Sequence, residues 1–284
     1  MHEDIEITPD NVFQEAHRDN RELFFETIKK CHLPGSCILG VDHIVQLGEL
    51  ARQGKSCLVF SEHVSNLDVP NLYTRFYDTG DNNLKDLFER FVFISGTKLN
   101  ETPWIKLFTE MFSRVVVYAF RSLVDLKNKE TDNNELELAG KINLRATRKI
   151  GELKTQGYIL YLFASGTRYR PWAPETKRGI PIIYSYLKMF DYFCCVSANG
   201  NTMPPVETED MVLEPIYDDQ VVFNYGPVTD AREFLQSIED ACEHDIDSEC
   251  NADKNCLKQF VADKIMEEIE VLHNEAELYR QKFV

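Results

Sequence analysis

The stretch Cys57–Pro70, CLVFSEHVSNLDVP, decides how this chain is read. Its apolar run Cys57-Leu58-Val59-Phe60 is too short for a helix and too apolar for a loop, so it predicts a buried strand. Asn66 and Asp68 are of the type that opens a helix. His63 therefore falls just past the carboxyl end of a strand, where open α/β sheets place their chemistry. Asp68, five positions on, is placed to hold one imidazole nitrogen and leave the other to take a proton. An ordinary surface histidine beside a helix-capping aspartate gives the same pattern, so a second site has to decide.

Outward from this stretch the chain alternates. After Cys57–Phe60 come helix-like Val69–Tyr77 and Leu84–Arg90, the strand Phe91–Ile94, a helix over Trp104–Phe112 and the β-branched strand Val115–Ala119. A long helix is expected over Glu135–Thr155, with Leu138, Ile142, Ala146 and Ile150 at helical spacing, then the strand Tyr158–Phe163. A helix at Ile182–Lys188 and a strand at Tyr192–Ser197 follow, and further strands are expected at Met211–Pro215 and Gln220–Tyr225. Alternation of this kind predicts an α/β fold: a mixed, largely parallel sheet flanked by helices. Residues 1–55 read as a small helical N-terminal region, 56–229 as the α/β domain and 230–284 as a helical C-terminal region.

Composition narrows the function. The chain has 284 residues, 43% of them hydrophobic and 27% charged, which is the make-up of a folded globular protein. No apolar run approaches the roughly 18 residues of a membrane span, and the acidic start MHEDIEITPD has no apolar segment of a secretory signal. The expectation is a cytoplasmic protein, at most peripheral to a membrane. Its eight cysteines are then expected to be reduced thiols. The net charge of −16 is uneven: from Val206 onward there are 21 acids and 6 bases, whereas the first 205 residues are nearly neutral. Nucleic acid is excluded as a partner on this balance. Cys242, His244, Cys250 and Cys256 lack a Cys-x2-Cys knuckle and read as free thiols, not as a zinc site. Asp245, Asp247 and Glu249 lack the turn glycine of a calcium loop, so no metal is expected.

The second site is Phe163-Ala164-Ser165-Gly166-Thr167-Arg168-Tyr169-Arg170-Pro171, again following a strand. Gly166 lets backbone approach a ligand closely, and Arg168 and Arg170 offer planar bidentate donors suited to phosphate. With both stretches in view, His63-x4-Asp68 followed about a hundred residues later by Phe-Ala-Ser-Gly-Thr-Arg resembles the glycerolipid acyltransferase family, with its HxxxxD and FPEGTR-like blocks. An intermediate block resembles Val115–Arg121, VVVYAFR, and the fourth, hydrophobic block falls at Cys194–Ser197. The likeness runs from about Gly54 to Pro205. Ser165 stands where most of that family has glutamate; with Lys98 in ISGTKLNETP, this looks more like the soluble, plastid-type glycerol-3-phosphate acyltransferases.

The resemblance implies transfer of a fatty acyl group from acyl-carrier protein or acyl-CoA to glycerol 3-phosphate, with no cofactor beyond that co-substrate. It implies His63 as the general base and Asp68 as its orienting partner. It also implies a cationic cluster for the acceptor's phosphate at Lys98, Arg121, Arg168 and Arg170, supported by the Ser165, Gly166 and Thr167 backbone, with Lys177 or Arg178 as further candidates. Lysophosphatidate as acceptor is the near alternative, and a non-catalytic lipid-binding protein on the same fold is the distant one. No Gly-x-Ser-x-Gly elbow is present, so direct transfer is expected in place of an acyl-serine intermediate.

Overall fold

The structure is a computed structural model that describes residues 6–19, 21–100, 103–119, 122–123, 133–207, 214–244 and 254–283. Strand β3, Cys57–Ser61, lies near the middle of the sheet and is buried at every position. Leu58 and Phe60 face one core, whereas Cys57 and Val59 face the other. A strand covered on both faces has no polar side to show, which is why its sequence reads as a continuous apolar run.

Four more strands lie parallel to β3: β4 (Phe91–Gly96), β5 (Arg114–Val117), β6 (Ile159–Phe163) and β7 (Tyr192–Asn199). Their spatial order is β5-β4-β6-β3-β7. β1 (Phe13–Gln14) adds antiparallel to β5. On the other side β8 (Val222–Tyr225) runs antiparallel to β7, and β2 (Cys37–Leu39) pairs parallel with β8. A short β9 (Thr229–Asp230) also pairs with β7. The sheet is mixed and largely parallel, as the alternation predicts.

Helices α1 (Arg21–Lys30), α2 (Val41–Arg52), α3 (Asp68–Asp78), α4 (Asn82–Phe88) and α5 (Pro103–Glu110) cover one face. Helices α6 (Asn133–Lys154), α7 (Ile183–Leu187), α8 (Ala231–His244) and α9 (Lys254–Arg280) cover the other. The apolar stripes that drive this are plain in α2, with Ile44, Leu47 and Ala51 buried, and in α6, with Ala139, Ile142, Ala146, Ile150 and Leu153 buried. In α9 the buried set Val261, Ala262, Ile265, Ile269, Leu272 and Ala276 keeps the same spacing under an acidic outer face. Each fully buried leucine, isoleucine or phenylalanine contributes roughly 1.5–3 kcal/mol. The C-terminal region is therefore part of the core.

Two expectations change. Residues 1–55 are not purely helical, because they supply β1 and β2 to the sheet. The thiols are not all free: Cys31, Cys37, Cys57, Cys194 and Cys195 are, but Cys256 is disulfide-bonded to a cysteine outside the described side chains. Cys242, Cys250 and Cys256 lie in or beside the short link between α8 and α9, and closing so short a loop costs little chain entropy. The expected strand at Met211–Pro215 falls mostly outside the described residues.

Candidate active site

The end of β3 leads through residues 62–67 into α3, and the loop is held by the first residue of that helix. Asp68 Oδ2 accepts hydrogen bonds from the Val64 and Ser65 amides at 2.8 and 3.1 Å and from His63 Nδ1 at 2.7 Å. A carboxylate in the first helical turn also suits the positive end of the helix dipole. Asp68 is 3% exposed, whereas the His63 side chain keeps 21% exposure. One face of the imidazole stacks on the Phe163 ring, with centroids 3.9 Å apart and planes 19° from parallel. Because the carboxylate accepts from Nδ1, Nε2 is the nitrogen left without a hydrogen bond among the described residues, and His63 lines a cavity of about 1100 Å³.

The second loop comes off β6, the strand beside β3, so the two motif loops leave adjacent strands at the same edge. Gly166 has φ +65, and a Cβ there would lie 2.9 Å from Ile180 Cδ1, so the turn requires glycine. Ser165 does not face the cavity; its hydroxyl turns back and donates to the Thr167 carbonyl at 2.6 Å. Gly166, Thr167, Arg168 and Arg170 do line the cavity. The Tyr169 amide donates to the His63 carbonyl at 2.8 Å, which ties one loop to the other through backbone.

Arg168 is not an open cation. Its Nη1 donates to both oxygens of Glu214, at 2.8 and 2.6 Å, and the two side chains are 8% and 2% exposed. Asn66, between His63 and Asp68, donates to Glu214 Oε2 at 2.7 Å. Arg170 Nη1 reaches Thr167 Oγ1 at 3.3 Å. Arg121 and the Lys98 side chain lie outside the described residues, although Thr97 and Leu99 on either side of Lys98 line the cavity. Lys177 pairs with Glu270 and Arg178 with Asp263, both on α9, and neither cation lines the cavity.

Sequence reasoning missed Glu214, the ring support from Phe163, and Arg114. Arg114 opens β5, lines the cavity and is 3% exposed, with burial pushing its pKa down to about 10. Away from the polar end, Phe93, Phe108, Phe112, Leu162 and Ile180 give the cavity an apolar lining, and the exposed Trp172 and Ile182 stand at its opening. Among the described residues no group of three or more His, Cys, Asp or Glu side chains is arranged to hold a metal, and no helix is long and apolar enough to cross a membrane.

Behind the site, Glu62 accepts from His273 Nδ1 of α9 at 2.8 Å and from the Ala198 amide at 3.2 Å. The Glu62 hydrogen bond raises the His273 pKa against the lowering effect of burial, with Glu277 adding to the rise and Lys177 opposing it. The folded value is raised, so this pair's stabilisation is full below the unfolded value near 6.5 and is lost as pH rises through the folded value. His273→Gln is expected to remove that loss, because no group then titrates against Glu62. Thermal unfolding of both proteins across that pH range checks it; parallel curves would refute the linkage.

The fold and site together define a three-layer α/β protein whose histidine–aspartate pair and arginine loop share one strand-end cavity. No protein-family model and no curated protein sequence matches the chain. Among the solved structures that do match is the 1-acyl-sn-glycerophosphate (LPA) acyltransferase PlsC from Thermotoga maritima. The chain is similar to it at 15% identity over 90% of this chain and 83% of that one, with a TM-score of 0.39.

Proposed function

We propose that this chain is an acyltransferase that moves a fatty acyl group from a thioester, acyl-CoA or acyl-carrier protein, to the sn-1 hydroxyl of glycerol 3-phosphate in phospholipid synthesis. The observation that carries the reading is an imidazole held at Nδ1 by a buried carboxylate, with Nε2 left open, in the same cavity as Arg168. An alcohol is a weak nucleophile at neutral pH, so its proton must leave as it attacks. Nε2 takes that proton while the glycerol oxygen bonds to the thioester carbon. The tetrahedral oxyanion then collapses, the C–S bond breaks, and the imidazolium returns the proton to the departing thiolate. In the second loop the Ser165, Thr167 and Arg168 amides make no hydrogen bond among the described residues, and the oxyanion falls to the last two, whose residues line the cavity.

The acceptor's phosphate is assigned to Arg168 and Arg170, with Lys98 and Arg121 completing the cluster. Arg168→Ala is expected to raise the acceptor KM by about 100-fold, through loss of a positioned bidentate donor, with little change in the donor KM. It also leaves Glu214 buried with Asn66 alone, at a cost of roughly 3–5 kcal/mol, so Arg168→Lys serves as the folded control. Equal changes in both KM values would contradict the role.

Lysophosphatidate is the second reading of the acceptor, favoured by the apolar lining of the cavity. Parallel assays with the two acceptors decide between them. A protein that binds phospholipid but transfers no acyl group from either donor would instead be a lipid-binding relative. Trp172 and Ile182 at the opening suit a peripheral lipid contact of a cytoplasmic protein.

A further inference from the structure

Glu214 is a carboxylate nearly without solvent, placed where the loops from two adjacent strands meet. Its partners are Asn66 from the loop after β3 and Arg168 from the loop after β6. A buried charge survives only when it is paired and hydrogen-bonded, and this one is satisfied from both sides. The Arg168 guanidinium is used one-sidedly: Nη1 takes both Glu214 oxygens, while Nε and Nη2 carry no hydrogen bond among the described residues. That remaining edge is the two-donor fork that matches two oxygens of a phosphate.

A flexible arginine facing a wet cavity would sample many rotamers, and each hydrogen bond to a ligand would have to overcome that entropy. An arginine clamped at Nη1 presents its other edge in one orientation. Asn66 extends the clamp to the segment that carries His63 and Asp68, so the position of the fork is set relative to the imidazole. Glu214 is too deeply held, by three hydrogen bonds, to act as a stand-in that an incoming anion displaces.

We infer that Glu214 is a positioning residue, which aims the Nε–Nη2 edge of Arg168 at an anionic group of phosphate type and fixes its distance from His63. The inference rests on the acyl-transfer reading only for the name of the ligand. It is tested on the full chain with Glu214→Ala and Glu214→Gln. Isothermal titration with glycerol 3-phosphate and with inorganic phosphate reads binding without turnover. Steady-state kinetics then separates acceptor KM, donor KM and kcat.

Glu214→Ala is expected to weaken both anions by about 100-fold, as expected for a misplaced binding group. Glu214→Gln keeps an acceptor oxygen for Nη1 and is expected to recover most of this, leaving affinity about fivefold weaker than in the unmodified chain. The donor KM is expected to hold in both. Anion affinity within about twofold of the unmodified chain in both variants, or tighter in either, overturns the inference. So does a parallel fall of kcat and of affinity for both substrates together with a lower unfolding temperature, the mark of a merely structural carboxylate. If Glu214→Ala does not fold, Glu214→Gln decides alone, and affinity within about twofold of the unmodified chain counts against. If the unmodified chain transfers no acyl group yet its anion affinity follows Glu214 as expected, the acyl-transfer reading fails and the positioning role stands.

Discussion

Replacing His63 by alanine is expected to lower kcat for acyl transfer by about 10²–10⁴-fold while leaving the fold intact, the range over which a positioned general base acts. The loss should be this large because, among the described residues that line the cavity, His63 is the only histidine. The fold should survive for a specific reason. Asp68 keeps the Val64 and Ser65 amides when the imidazole is gone, so no buried carboxylate is orphaned. Phe163 loses a stacked ring but remains packed against Tyr161. Turnover of acyl-CoA with glycerol 3-phosphate and the unfolding temperature, measured on the same preparation, check both halves. A variant that retains a tenth or so of the original kcat would show that proton removal is not assigned correctly.

Asp68→Asn is expected to cost about 10²–10³-fold in kcat, because the imidazolium formed as Nε2 takes the proton loses the negative charge beside it. Val64, Ser65 and His63 Nδ1 all meet Oδ2, so the amide oxygen keeps that place and still accepts from all three, while the negative charge is lost. Nδ1 therefore keeps its proton and Nε2 still faces the acceptor, but no carboxylate charge offsets the positive charge the ring gains as it takes the proton. Nitrogen-15 spectra of the imidazole read the tautomer directly. A variant with the proton still on Nδ1 and normal turnover would remove Asp68 from the mechanism.

How much of this was readable in the chain follows from burial. β3, β6 and β7 announce themselves as unbroken apolar runs because helices cover both their faces. β1 and β2 do not, since strands of two and three half-buried residues have no period to detect, and charged neighbours make Phe13–Gln14 read as helix. His63 and Asp68 were legible because both partners sit in one short loop. Glu214 was not: its partners lie 46 and 148 positions away, and nothing local marks a glutamate in an irregular stretch as buried. Arg114 was hidden for a related reason, as an arginine before a β-branched run looks like a strand boundary. The departure at Ser165 was visible, yet only the bond from its hydroxyl to the Thr167 carbonyl shows that the residue serves the turn itself.

The acidic helix α9 has one more effect on the approach to the cavity. Lys177 and Arg178 belong to the loop that carries Trp172 at the opening, and both already face carboxylates of that helix, Glu270 and Asp263. These two cations are answered before any ligand arrives, so long-range attraction of an anionic visitor has to come from the arginines that line the cavity, and added salt would weaken it.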